Sequence, residues 1–537
     1  PVAAFPVAGP KDVVREGEVG ALDWDLAKGV ERAVALPRAA CRLYAQGFSW
    51  EAATRQFLAN LTYGANFADG RGNIMVYGGY VNEGVVENDG RDFSRLDYTS
   101  LGTTQRVAGN SATNLTAAQN LFTPFYNPSN VGAGGVFVIG SQTNRIINPD
   151  GTFRAYNAAT DGYNREQYKL LAAPSERYTF AARVNYDVTD DVNLFSEVTY
   201  TNVLSKGRME ASPMRTDSAL GAFPGNGGFY PIEFMVANPT NPADVRRLAN
   251  PLVPAAVFAA ATNRNANDAI TSKDLSFLLR TTMFDGGTRT IPTERDNFRV
   301  VLGGTVDLGS SWKFDAYYQY GFTKQNQSMS GLANLYNLAE ALQAIPDVFD
   351  YNNNGNVTEA VCVNASARAQ GCVPINVYGL NADGSSKISA DAIKYIKTSM
   401  SRYSKQQMHV AAANLTGTLF QLPAGPVQVA VGAEYRKEES RDIFDPLTNA
   451  ARNGYVQMTD TWGKFDVKEA YGEIVVPILS DTPFFQNLTL RAAGRMSDYS
   501  TVGTFYAWNI GGEWSAIEDI RFRGVYGDAT PAADIGV

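Results

Sequence analysis

A single histidine and three cysteines are all that 537 residues contain of the two side chains most used for metal and nucleophilic chemistry. With one imidazole there is no H-E-x-x-H zinc motif, and no Ser–His pairing stands out. Charge is also scarce, 19% of residues against roughly 25% in an ordinary soluble domain. No apolar run reaches the roughly 18 residues of a membrane-spanning helix. A net charge of −8 supplies no basic footprint for nucleic acid. What is abundant is aromatic and small: 27 Tyr, 28 Phe and 49 Gly, with a mean hydropathy of −0.21. That many aromatic residues argues against disorder, and the hydropathy against a bundle of spanning helices.

Two patterns divide the chain. Residues 1–61 read as a small α/β tail. Pro1–Val7 is strand-like, Arg38–Ala45 is helical up to Gly47, and Ser49 can cap a second helix. That helix would carry Glu51 in its first turn and Trp50, Ala53, Phe57, Leu58 and Leu61 on its apolar face. From about Tyr63 the period becomes two. Tyr178, Phe180, Ala182, Val184, Tyr186 and Val188 share one face, and Arg177, Thr179, Arg183 and Asn185 the other. A turn at Thr189–Val192 then leads into a matching strand. Further hairpins are expected at 298–322, 409–436, 468–496 and 505–527, about eleven strands in all.

The connections alternate between short turns and long segments near 84–176, 204–295, 326–405 and 440–465. Tilted strands of about 9–11 residues with short turns at one end and long loops at the other describe a transmembrane β-barrel. Tyr178, Tyr186, Tyr200, Tyr435, Trp508, Trp514 and Tyr526 suit its interfacial girdles. Arg183, Glu197, Glu434, Arg436, Glu473, Arg491 and Arg495 fall on the opposite parity, where they need a wet interior. The fold class is therefore mainly β: an antiparallel meander forming a partial transmembrane barrel with long outer loops, preceded by the α/β tail.

Several segments resemble TonB-dependent outer-membrane receptors. They include Gly64–Asn73, Ala367–Gly379, Gly432–Arg436, Val467–Glu473 and Arg495–Ser500, in the family's order. The resemblance covers residues 63–537. It implies a plugged 22-stranded barrel in the bacterial outer membrane. It further implies uptake of a scarce bulky solute (siderophore, cobalamin or saccharide), with outer-membrane lipid, the TonB inner-membrane complex and the solute as partners. Residues 1–61 resemble the C-terminal tail of a GT-B glycosyltransferase, without the carboxylates that bind the sugar nucleotide. The division is thus 1–61 and 63–537, a chimera of transferase tail and receptor barrel lacking plug and final strands. Such a chain is expected neither to import nor to transfer sugar on its own. A glycosyltransferase with an aberrant extension and a passive porin are the alternatives.

No catalytic, cofactor or metal residue is assigned, and no nucleic-acid partner. Asp350–Asn356 matches the first half of a Ca²⁺ loop, but the twelfth position is Val361 and Glu359 comes two residues early, which favours a solvated Asn/Gly turn. Cys362 and Cys372, ten residues apart, favour a local disulfide over two free thiols, and Cys41 is expected to stay unpaired. His409 shares the parity of Leu415 and Leu419, an outward, lipid-facing position. Helices are expected at Asn337–Ala344 and Ser389–Met400, folding a large outer loop.

Overall fold

The computed structural model describes residues 2–4, 14–41, 56–91, 94–96, 98–100, 124–126, 128–216, 221–262, 273–280, 288–309 and 311–529. Its main body is one 12-stranded antiparallel sheet in which every strand lies next to its neighbour in sequence. The strands are β1 (Gln56–Phe67), β2 (Gly72–Glu83), β3 (Ser175–Thr189), β4 (Val192–Glu210), β5 (Thr288–Asp307) and β6 (Lys313–Ala333). They continue as β7 (Lys397–Leu422), β8 (Gly425–Phe444), β9 (Thr461–Thr482), β10 (Phe485–Tyr499), β11 (Gly503–Ile517) and β12 (Ile520–Asp528). The sheet is open, with β1 and β12 at its edges.

The helix expected over 49–60 is not present where it can be seen. Residues 49–55 lie outside the described residues, and Gln56–Phe67 is a strand paired along its length with β2. Phe57, Leu61 and Tyr63 also fit period two, and the ladder to β2 satisfies the backbone groups that face it along the whole segment, which outweighs the helical spacing of an isolated segment. The sheet therefore starts before Tyr63. In the preceding unit, Val2–Ala4 pairs in parallel with Gly20–Leu22. A helix at Leu26–Val34 starts from Asp25, whose carboxylate accepts from the Ala27 N–H at 3.1 Å. Residues 38–41 are helical, and 42–55 lie outside the described residues.

The turn at one end of β3–β4 closes on Asp190 and Asp191 alone, one residue tighter on each side than the sequence suggests. Several strands are far longer than a bilayer crossing needs: β7 has 26 residues and β6 has 21, against about 9–11. The excess lies at the long-loop end. There Met329, Leu332 and Met400 form a small buried cluster, so the ladder continues into the loop body above the bilayer.

Above that end the long connections fold together. A six-stranded sheet draws Val136–Ile139, Gln142–Ile147 and Phe153–Ala155 from the first loop, and Pro213–Arg215, Tyr230–Pro231 and Asp274–Arg280 from the second. Helices Leu335–Leu342 and Ala390–Ile396 come from the third. The first is capped by Asn334; the second by Ser389, and it ends at Ile396 because Lys397–Met400 already belongs to β7. Phe137, Ile139, Met214, Tyr230, Leu275, Phe277, Leu338, Tyr378 and Ile396 from all three loops form one buried core. Two glycines permit the closest approaches. A Cβ at Gly140, φ +58°, would stand 2.5 Å from the Ala260 carbonyl oxygen, and one at Gly379, φ +81°, 2.6 Å from that of Ile147.

Candidate functional site

The register separates two faces. On one, Tyr200, Phe298 and Phe322 align in one row, and Ala413, Ala433 and Ala470 in another. This face carries all seven girdle aromatics named above, and His409, whose Nδ1 lies 2.7 Å from the Tyr318 hydroxyl. The other face carries a polar, charged wall, although Lys437, Asp466 and Lys468 lie on the first face toward the long-loop end. Arg183 stands opposite Glu197, Glu434 opposite Glu469, and Tyr471 opposite Arg495. Apolar-out and polar-in alternation makes the first the lipid face and the second the lumen wall.

The wall is a connected polar surface. The Arg299 guanidinium donates to Gln319 Oε1 at 2.9 Å and lies 3.5 Å from Glu197, which Arg183 also approaches at 3.5 Å. Asn414 donates to Asp315 at 2.8 Å and accepts from the Tyr471 hydroxyl. The Arg495 guanidinium sits 5.1 Å from the Tyr471 ring centroid and 3.9 Å from Glu469. Nearer the loops the wall opens into a groove of about 1140 Å³ lined by Thr199, Arg299, Gln319, Thr323, Gln406 and Glu438. Amides, hydroxyls and paired charges of both signs can hold a polar solute at several weak sites and release it.

The loop body is pinned above it. Asn250 donates to the Leu342 carbonyl at 3.0 Å, and Arg452 of the fourth loop to that of Gly221 at 3.3 Å. At its centre the Tyr230 and Tyr378 hydroxyls meet at 3.0 Å, and burial raises the pKa of both. At its surface Arg154 grips Asp161 with two hydrogen bonds of 2.7 Å, which hold the carboxyl below its usual range.

Two further sequence candidates, the cysteine pair and the Asn/Gly loop, fall within the third loop. Cys362 and Cys372 are joined, with Cα atoms 6.3 Å apart, while Cys41 is a free, half-buried thiol. In the Asn/Gly loop, Asp350 accepts from the Gly355 N–H at 3.0 Å, and the amides of Asn352, Asn354 and Asn356 all donate to Glu359. Val361 is buried, and among the described residues no three His, Cys, Asp or Glu side chains are placed to hold a metal ion. Glu469 and Glu473 both face the lumen; Glu438 and Glu439 point to opposite faces. The groove residues were not singled out from the sequence. Thr and Gln at alternate positions signal a polar face, but not which strands curve to enclose space.

A model of the TonB dependent receptor-like β-barrel matches residues 237–536. The chain belongs to this family. Its place is accordingly the outer membrane, and the family is one of receptors and transporters. The receptor barrel is similar in fold to the RagAB peptide transporter, at 8% identity and a TM-score of 0.38 over 88% of this chain and 36% of that one. It is also similar to Pseudomonas aeruginosa FpvA bound to a pyoverdine, at 6% and 0.35 over 86% and 39%. A third is the Escherichia coli K12 ferric-catecholate import receptor Fiu, at 11% and 0.29 over 88% and 57%. The chain thus spans between 36% and 57% of the length of these solved receptors. No curated protein matches the sequence.

Proposed function

We propose that this receptor captures a scarce, bulky, polar solute at its outer loops and passes it along the lumen wall, with energy relayed from the inner membrane by TonB. The observation that carries the reading is the single core built from three loops. A passive pore gains nothing from ordering such long connections, whereas a surface that must grip a large solute needs them pre-organised. The groove of about 1140 Å³ beneath is large enough for a sizeable ligand. Siderophores, cobalamin and saccharides remain the substrate classes to test. The reading is non-enzymatic, and the α/β unit before Gln56 is proposed to take no part in uptake. The test is accumulation of radiolabelled candidates by cells expressing these strands and loops within a complete, plugged receptor, with and without a functional TonB complex. Uptake of one class that stops when TonB is removed supports the proposal. Uptake of all small solutes alike, independent of TonB, refutes it in favour of a pore.

A further inference from the structure

Near the loops the lumen wall combines a continuous row of neutral hydrogen-bonding side chains with an excess of positive charge on one side. Across five neighbouring strands, β4 to β8, the register sets Thr201, Asn297, Thr323, Gln406 and Ser440 side by side. All five line the groove of about 1140 Å³. Thr323 donates to Asn297 Oδ1 at 2.8 Å. Among the described residues the side chains of Thr201, Gln406 and Ser440 make no hydrogen bond within the protein, so they are open to a solute. Hydroxyls and amides both donate and accept. A row of them matches a solute that is dense in hydroxyl groups.

The charges around the row are unequal. On β5, Arg295 and Arg299 share the face of Asn297 and stand on either side of it along the strand. Both are exposed. Arg299 and Arg183 share the one carboxylate of Glu197, at 3.5 Å each. Among the described residues Arg295 donates only to the neutral Gln325 Oε1, at 2.9 and 2.6 Å, which leaves its charge in place. Three guanidiniums thus meet one carboxylate. On β8 the acids are balanced: Glu438 lies 3.3 Å from Arg436, and Asp442 lies 2.8 Å from Arg402. Glu434 and Glu469 lie further toward the short turns, outside the groove. The β5 side of the groove therefore holds positive charge that no carboxylate of the wall offsets.

We propose that this groove binds an acidic oligosaccharide, its hydroxyls along the neutral row and its carboxylates toward Arg295 and Arg299. The inference rests on the reading that a solute passes along this wall, and it names the chemical class of that solute. The row spans four interstrand steps, about 19 Å. Each step is close to the length of one sugar ring, so a chain of about five rings laid across the strands meets one side chain per ring. The two arginines stand above and below the row, where carboxylates projecting to either side of the sugar chain would meet them. A guanidinium presents the fork that matches a carboxylate. A neutral sugar would leave the surplus charge unmet, and a small anion would leave the row unmet.

The test uses the full chain purified in mild detergent and measures equilibrium binding of an oligogalacturonate of that length, its fully methyl-esterified form, and citrate. The acid should bind about tenfold tighter than the ester or more, as charge-assisted hydrogen bonds require. Raising the salt should narrow that preference, and citrate should not bind measurably. R295Q/R299Q should bring the acid down to the level of the ester. K313Q, which removes a positive charge beside a short turn at the opposite end, should keep the preference. T201V/T323V should weaken acid and ester alike. Equal binding of acid and ester, citrate as tight as the oligomer, or an unchanged preference in R295Q/R299Q would overturn the inference. If that variant does not fold, the three probes on the unaltered chain still decide. Binding of a siderophore or cobalamin in this groove, with none of the sugars, would overturn it and leave capture and uptake standing. TonB-independent passage of every small solute would instead overturn uptake itself.

Discussion

Replacing Tyr230 by Phe removes one oxygen from the loop core and nothing else, so its cost isolates a single hydrogen bond. Tyr230 and Tyr378 are both fully buried, and their hydroxyls meet at 3.0 Å. The single variant leaves the Tyr378 hydroxyl in an apolar site without that partner, which costs about 1–3 kcal/mol. Removing both hydroxyls in Y230F/Y378F leaves no stranded polar atom, and the packing with Phe137, Phe223 and Phe277 is retained. The double variant should therefore lie within about 1 kcal/mol of the parent, a non-additive result. About 1–3 kcal/mol corresponds to a roughly 5- to 150-fold rise in local opening. Hydrogen exchange of the amides in Phe277 and its strand neighbours, or protease nicking of the loops under fast-reclosing conditions, would read it. Additive losses in the double variant, or a Y230F variant that opens no more than the parent, would refute the pairing argument.

Reducing the Cys362–Cys372 bond, or C372S, should destabilise the loop it closes by about 2–3 kcal/mol, read as faster proteolysis between residues 345 and 375. Burial raises the pKa of both core tyrosines, so their contribution is complete below about pH 10 and falls as pH rises through the folded values. Alkaline titration should loosen the loops of the parent more than those of Y230F/Y378F; identical profiles would count against it. Asp161 has a lowered pKa through its bonds to Arg154, so that clamp is present above about pH 4 and is lost as pH falls through the folded value. R154A should weaken this acid sensitivity in exchange of the Asn157–Asp161 amides, leaving only the smaller part due to the Asn157 N–H and Thr160. Leu302→Arg on the lipid face should cost about 2–4 kcal/mol of membrane-inserted stability and lower heat-resistant barrel on gels, whereas Gln319→Arg on the lumen face should cost much less. Equal effects would mean the faces are assigned the wrong way round.

Strand parity was legible from the residues because a side-chain period of two is a local property. Tyr178 to Val188 announces both its conformation and its buried or lipid face without reference to any other segment. The same holds for the Ser389 cap and for the long-loop, short-turn alternation. Short apolar segments were less legible. Phe57, Leu58 and Leu61 fit a helical face and a strand alike, and only the partner strand Gly72–Glu83 decides between them. Strand length was underestimated for a related reason. Above the bilayer the strands no longer face lipid, so the regular alternation stops, although the ladder continues and Met329, Leu332 and Met400 are buried beneath the loops.

The amino-acid sequence by itself determined the class of this protein: an antiparallel meander with a lipid face, a polar wall and asymmetric connections. Those features follow from which side chains alternate and where turn residues interrupt them. The tertiary structure alone decided that three loops share one core, that Tyr230 meets Tyr378 across 148 positions, and that Thr201, Asn297, Thr323, Gln406 and Ser440 stand in one row. The reason is that register and loop packing are pairings between distant segments, and a pairing has no periodicity within either segment to reveal it.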